Sequence, residues 1–259
     1  LHRPKMAEIR LQDNLMDPLS QLPSFISRML ASGGDGRIRI KSGASTNMYG
    51  ASPFPREMLA YAATTANDIS LEAFNHLQEF VQSWPDGQME GEGYRQALDA
   101  LRTTIRTAYR LTDTQDIVFA PSGTDLEFVA LHLAASASGK PVTNILLGAD
   151  EVGSGCGLAA SGCYFATETV LADTVTKGAP VSGLEGARIV DVPVRDKDGR
   201  AFSSVEVSVA IAAHVETAID EGRHALIHVV HGSKTGLTLP GFAEIDALRA
   251  RFGGAMTLV

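Results

Sequence analysis

Short apolar runs alternate with helix-length segments along the second half of the chain. Val142–Gly148 (VTNILLG), Ala187–Val194 (ARIVDVPV), Ala225–Val230 (ALIHVV) and Ala255–Val259 (AMTLV) read as strands, with Asp116–Ala120 (DIVFA) as an earlier one. Their apolar residues are nearly continuous, as expected of strands covered on both faces. The segments between them predict helices over Thr124–Ala137 and Phe242–Phe252, and a short one over Gly157–Ala166. Another helix opens at Ser203, where Ser203 and Glu206 form a capping box, and closes near Gly222. This alternation predicts an α/β fold, three layers deep (α/β/α), with a mostly parallel sheet.

The first half reads differently. Up to about Arg56 the chain is rich in Gly, Ser and Pro, and Ala31–Pro55 predicts loop with at most a short strand at Arg37–Lys41. Two helical patterns follow, roughly Asp68–Ser83 and Tyr94–Arg110, with the breaker WPDG between them. The last apolar run stops at Val259 without a turn. Because side chains that act in such sheets lie just past the carboxyl ends of strands, the expectation is a large domain truncated there.

Composition narrows the function. With 259 residues, 44% hydrophobic and 20% charged, the chain can bury a full core. Its net charge of -8 argues against nucleic acid and against an anionic membrane surface. There is no apolar run of about 18 residues and no signal-peptide pattern, so no membrane is expected and a cytoplasmic setting is. Two cysteines, Cys156 and Cys163, are too few for a disulfide scaffold, and no metal-ligand spacing occurs.

Three places could carry chemistry. In FAPSGTDLEF (Phe119–Phe128) a strand runs through Ser122, Gly123 and Thr124 into a helix, with Thr124 and Glu127 spaced as a capping box. Such a turn offers backbone N–H groups, hydroxyls and a helix dipole to a phosphate, and it serves equally as a capped helix start with no ligand. Gly155–Ala160 fits the dinucleotide fingerprint GxGxxA, with Asp173 placed for a ribose, and also fits a tight glycine turn. HVVHGSKTGLTLPG (His228–Gly241) sets Lys234 among hydroxyls and glycines after a strand. His228 reads as a core residue, His132 and His214 fall within helices, and His231 stands at a strand's carboxyl end.

The order of these motifs resembles the fold-type I pyridoxal-phosphate enzymes, especially the class V aminotransferase and cysteine desulfurase group. The resemblance implies that Ser122, Gly123 and Thr124 bind the cofactor phosphate. It places Glu151 or Val152 beside the pyridine ring, and Ser233 and Thr235 where cofactor and substrate are contacted. It implies an aspartate for the ring nitrogen and the cofactor-bearing lysine beyond Val259, which leaves Lys234 as a loop cation. It further implies an arm and substrate-side segment over residues 1–60, a large domain over 61–259, and a homodimer. Asn47, Tyr49 and Arg56, in the Ser42–Pro55 stretch and just after it, are substrate-side candidates. The activity implied is transfer of an amino group between an amino acid and a 2-oxo acid. Alternatives are β-elimination or desulfuration with the same cofactor, a nicotinamide-dependent oxidoreductase using Gly155 and Gly157, and a binding module without catalysis.

Overall fold

The computed structural model describes residues 18–32, 34–41, 43–61, 66–84, 91–153 and 155–259. The breaker residues 85–87, Ser42 and the first seventeen residues lie outside these. The chain divides into two compact units, residues 1–119 and 120–259.

Among the described residues of the first unit are three α-helices: α1 (Pro18–Ala31), α2 (Leu71–Gln82) and α3 (Gly91–Tyr109). Helix α1 falls just ahead of the Ala31–Pro55 loop, in a stretch for which the sequence pattern predicts no element. It is stabilised by burial of Ile26 against Phe74 and Val81 of α2, with Phe25, Ile69, Leu77 and Trp84 around them. Ser70 caps α2 by accepting from the Ala73 N–H. Helix α3 buries none of its residues and carries a ladder of charge pairs instead, Arg95 with Glu92 and Asp99, and Arg102 with Asp99. Two predicted strands are absent here. Arg37–Lys41 is a turn in which the Asp35 carboxylate holds the Arg37 guanidinium and its N–H. Asp116–Ala120 has no ladder partner among the described residues, and Val118 and Phe119 are exposed. An apolar run becomes a strand only when another strand takes its backbone hydrogen bonds.

The second unit is an α/β domain around a four-stranded parallel sheet. In chain order its elements are α4 (Gly123–Ser138), β1 (Val142–Leu147), α5 (Cys156–Ala160), β2 (Arg188–Val192), α6 (Ser204–Asp220) and β3 (His224–Ile227). These are followed by β4 (Val230–His231), β5 (Thr238–Leu239), α7 (Phe242–Phe252) and β6 (Met256–Leu258). The sheet order is β2-β1-β3-β6, with every pairing parallel. Strands β1 and β3 are central and buried along their whole length. Ile145, Leu147, Ala225 and Ile227 pack with Val207, Ile211 and Val215 of α6 and Leu248 of α7. Val142 and Leu226 turn the other way, onto Leu131 and Ala134 of α4. Helices therefore cover both faces, compatible with a three-layer domain.

Helix ends follow the sequence closely at α6, where the Ser203–Glu206 capping box is formed on both sides. At α4 the cap differs from the expectation. Ser122, extended at φ -149 and ψ 163, accepts from the Asp125 N–H and starts the helix at Gly123. Thr124 is thus the second helical residue, and its side chain is buried within the domain instead of capping. The run Ala225–Val230 also divides. After Ile227 the His228 N–H still donates to Ile145 O and the Val229 N–H to Val259 O, but Val230–His231 leave the sheet as a hairpin with Thr238–Leu239.

Candidate functional site at the carboxyl ends of β1 and β3

The strand order changes direction between β1 and β3. The chain leaves β1 towards β2, on the face of the sheet that α4 covers, and leaves β3 towards β6, on the face that α6 and α7 cover. In open α/β sheets this divergence opens a crevice at the carboxyl ends, where ligands bind. Three segments meet there: the turn after β1, the hairpin after β3 and the start of α4.

The turn after β1 is set by Gly148, at φ +61. A Cβ there would lie 2.7 Å from Val194 Cγ2 and 3.2 Å from Glu151 Cγ, so a side chain at this position would clash as well as strain the backbone. The Gly148 N–H donates to Val192 O and the Glu151 N–H to Gly148 O, which folds Glu151 back over the strand end. Asp191 fixes the other side by accepting from the Ala149 N–H at 2.9 Å.

Glu151 is buried and surrounded by donors. Thr235 Oγ1 and Ser233 Oγ each donate to it at 2.7 Å, the Thr235 N–H at 3.1 Å, and Arg195 Nε at 3.1 Å. Arg195 also bonds Thr235 Oγ1 at 2.6 Å and Gly199 O at 2.9 Å. Hydrogen bonds from Thr235 and Ser233, with smaller help from Arg195, outweigh burial and hold the carboxyl at about 2. Glu151 is therefore a fixed anion that ties the hairpin to the β1 turn. Lys234 sits between the two hydroxyl residues but points elsewhere. Its Nζ bonds Asp150 O at 3.3 Å, and its N–H donates to Glu151 O at the same distance. Val152, the next residue, is half-buried on the same turn.

The start of α4 completes the crevice with a second carboxylate of opposite character. Thr124 and Glu127 are three residues apart and share a face of the helix. Glu127 Oε2 lies 3.3 Å from Nε2 of His228, the first residue after β3, with side chains only 11% and 14% exposed respectively. Neither atom has a well-formed hydrogen bond among the described residues. Burial alone raises the Glu127 carboxyl to about 7 and lowers the His228 imidazole to about 4. Two carboxylates at one end of a sheet, one pushed down and one up, form the pattern that separates an anion from a proton carrier.

The residues singled out from sequence distribute as follows. Glu151, Ser233 and Thr235 come together in one hydrogen-bonded cluster. Ser122, Gly123 and Thr124 begin α4, with the Ser122 hydroxyl committed to Asp125 both as acceptor and as donor, at 2.6 Å to Oδ2. Asn47 accepts from the Tyr49 and Ala51 N–H groups, and Arg56 pairs with Asp68 through two nitrogens while also bonding Gly50 O. These three residues order a turn of the first unit. Gly155 begins a helix of only five residues, and Asp173 is an exposed turn residue bonded to Thr169. His231, the histidine flagged from sequence, is exposed in the hairpin.

Sequence reading missed Arg195, and it took His228 for an ordinary core residue. It also placed Glu127 in a cap. The available signal was a carboxylate inside the apolar stretch LEFVAL, a residue type that is buried only for a reason.

No protein-family model matches the chain, and no curated protein or solved structure does either. Among the described residues no helix is long and apolar enough to cross a membrane. No group of three or more His, Cys, Asp or Glu among them could hold a metal ion.

Proposed function

We propose that the second unit binds pyridoxal 5'-phosphate, as the large domain of a fold-type I enzyme of the class V kind. The full protein would transfer an amino group between an amino acid and a 2-oxo acid, as a homodimer. The observation that carries this reading is the meeting, at the turning point of the strand order, of three segments in the chain order that family uses. These are the start of α4, the turn at Glu151 and the Ser233–Thr235 hairpin.

The residues present fit the cofactor's phosphate. Gly123 and Thr124, as the first two helical residues, have N–H groups without an intrahelical acceptor. Thr124 adds a hydroxyl on the buried side, and the dipole of a 16-residue helix favours a dianion there. Ser122 would serve by fixing the helix start. When bound, the cofactor supplies an electron sink for charge developing at the amino acid's α-carbon. Glu151 would hold Ser233 and Thr235 in place for ring and substrate contacts, with Val152 beside the ring.

Equilibrium dialysis tests the reading. Pyridoxal phosphate should bind the chain saturably, one molecule per chain, and more tightly than pyridoxal, which lacks the phosphate. Thr124→Val removes one donor to a dianion, a contact contributing about 1.5–3 kcal/mol. Its affinity should fall on the order of ten- to a hundredfold while pyridoxal binding stays unchanged. Absence of saturable binding, or unaltered affinity in a folded Thr124→Val protein, would overturn the proposal.

A further inference from the structure

The Glu127–His228 pair has no task in that scheme, yet it stands where α4 packs against the carboxyl end of β3. Two buried titratable atoms 3.3 Å apart, without other partners among the described residues, form an unusual arrangement. An ionised carboxylate there would lack donors, and an imidazolium would lack solvent, so neither charge is stabilised locally. The shared face of Thr124 and Glu127 sets this pair one helical turn from the N–H groups at the start of α4.

We propose that Glu127, set against His228, is a proton acceptor that takes up a proton when an anion seats at the start of α4. This rests on the phosphate reading above. An incoming dianion repels an ionised Glu127 and favours its neutral acid, so binding draws a proton onto it. Reciprocally, with Glu127 protonated the anion binds more tightly. Glu127 would thus discriminate by charge without contributing a positive side chain. The inward position of Glu127 on the Thr124 side is then explained, where an ordinary phosphate site would avoid a carboxylate.

Other charged groups nearby do not compete for this role. Asp125 of α4 is tied to Ser122, and Glu151 is enclosed by Arg195, Ser233 and Thr235. Asp191 of β2 accepts from Ala149. Lys234 is held at Asp150 O, and Asp150 and His231 are exposed. Burial is the sole cause of the shifts at Glu127 and His228. A carboxyl titrating near 7 can exchange its proton in the neutral range.

Inorganic sulfate is the probe, because it stays a dianion throughout this range and brings no proton of its own. Its dissociation constant, from competition with pyridoxal phosphate or from calorimetry, would be measured between pH 6 and pH 8.5. The native chain should lose sulfate affinity on the order of tenfold as pH rises, about one pKa unit of coupling. Glu127→Gln should bind with the tighter, low-pH affinity at every pH. His228→Gln, which keeps the carboxyl, should retain the pH dependence. Calorimetry at pH 7.5 in two buffers of different ionisation enthalpy should show proton uptake in the native chain and none in Glu127→Gln. If anions bind with the same affinity at all pH values in the native chain, the pair is not coupled to the site, and the phosphate reading stands alone. If neither sulfate nor pyridoxal phosphate binds, both proposals fall.

Discussion

Glu151 and Glu127 show how little a residue's identity says about its chemistry. Glu151 is buried and Glu127 is mostly covered, at the same end of one sheet. One receives four donors and is held ionised at about 2, while the other, whose Oε2 has no hydrogen-bond partner among the described residues, rises to about 7. The Glu151 cluster has a definite acid signature. Its folded value lies below the ordinary 4.5, so its stabilisation is complete above about 4.5 and is lost as pH falls towards about 2. Glu151→Gln should remove that acid-sensitive part and leave Arg195, whose side chain is 28% exposed, without its anion. We expect a loss of about 1–3 kcal/mol at pH 6, reduced from the fully buried case by that exposure, and a smaller loss at pH 3. Urea unfolding at the two pH values measures both. Equal destabilisation at pH 6 and pH 3 would show that the cluster is not titrating as its geometry demands.

At the scale of elements, legibility in the sequence followed from whether the cause of an element is local. The buried strands β1 and β3 carry their own apolar runs, and the Ser203–Glu206 box marks α6 within four residues, so these could be read directly. Helix α1 could not, because its Ile26 is stabilised by Phe74 and Val81 of a helix far along the chain. Asp116–Ala120 failed for the converse reason, since apolar alternation promises a strand only if a neighbour accepts it. The contact of Glu127 with His228 is likewise set by the packing of α4 on β3, which no spacing rule contains. The cap of α4 gives a test of local reading. Because Ser122 and not Thr124 accepts from the Asp125 N–H, Ser122→Ala should cost about 0.5–2 kcal/mol of stability. Thr124→Val should cost no cap at all and act only on anion binding. Chemical denaturation of the two variants separates them, and an equal loss in both would contradict the observed helix start.

For the whole molecule, the opposed shifts of Glu127 and His228 have a consequence for stability that neither residue shows alone. In the unfolded chain the carboxyl titrates at 4.5 and the imidazole at 6.5, while in the folded protein they stand at about 7 and about 4. Between pH 4.5 and 6.5 the unfolded chain therefore carries one proton on His228, and the folded protein carries one on Glu127. The proton counts are equal, so this pair leaves the stability of the native protein nearly flat across that window. Removing either partner exposes the other's dependence, and the two signs are opposite. In Glu127→Gln only the depressed histidine remains. Its unfolded form binds the proton more tightly, so stability is lost as pH falls from 6.5 towards 4. In His228→Gln only the raised carboxyl remains. Stability is then greatest below 4.5 and is lost as pH rises towards 7. Each change should amount to on the order of 3 kcal/mol over its window, since each shift spans about 2.5 units and one unit is about 1.4 kcal/mol. The chain's single tryptophan, Trp84, lies in the first unit, so its fluorescence is the wrong probe for an effect seated in the second. Far-UV circular dichroism of urea unfolding at pH 4.5, 5.5, 6.5 and 7.5 sums the helices of both units, so the second unit's α4, α6 and α7 contribute to the signal. Slopes of the same sign in the two variants would mean that the folded protein does not hold its proton on Glu127.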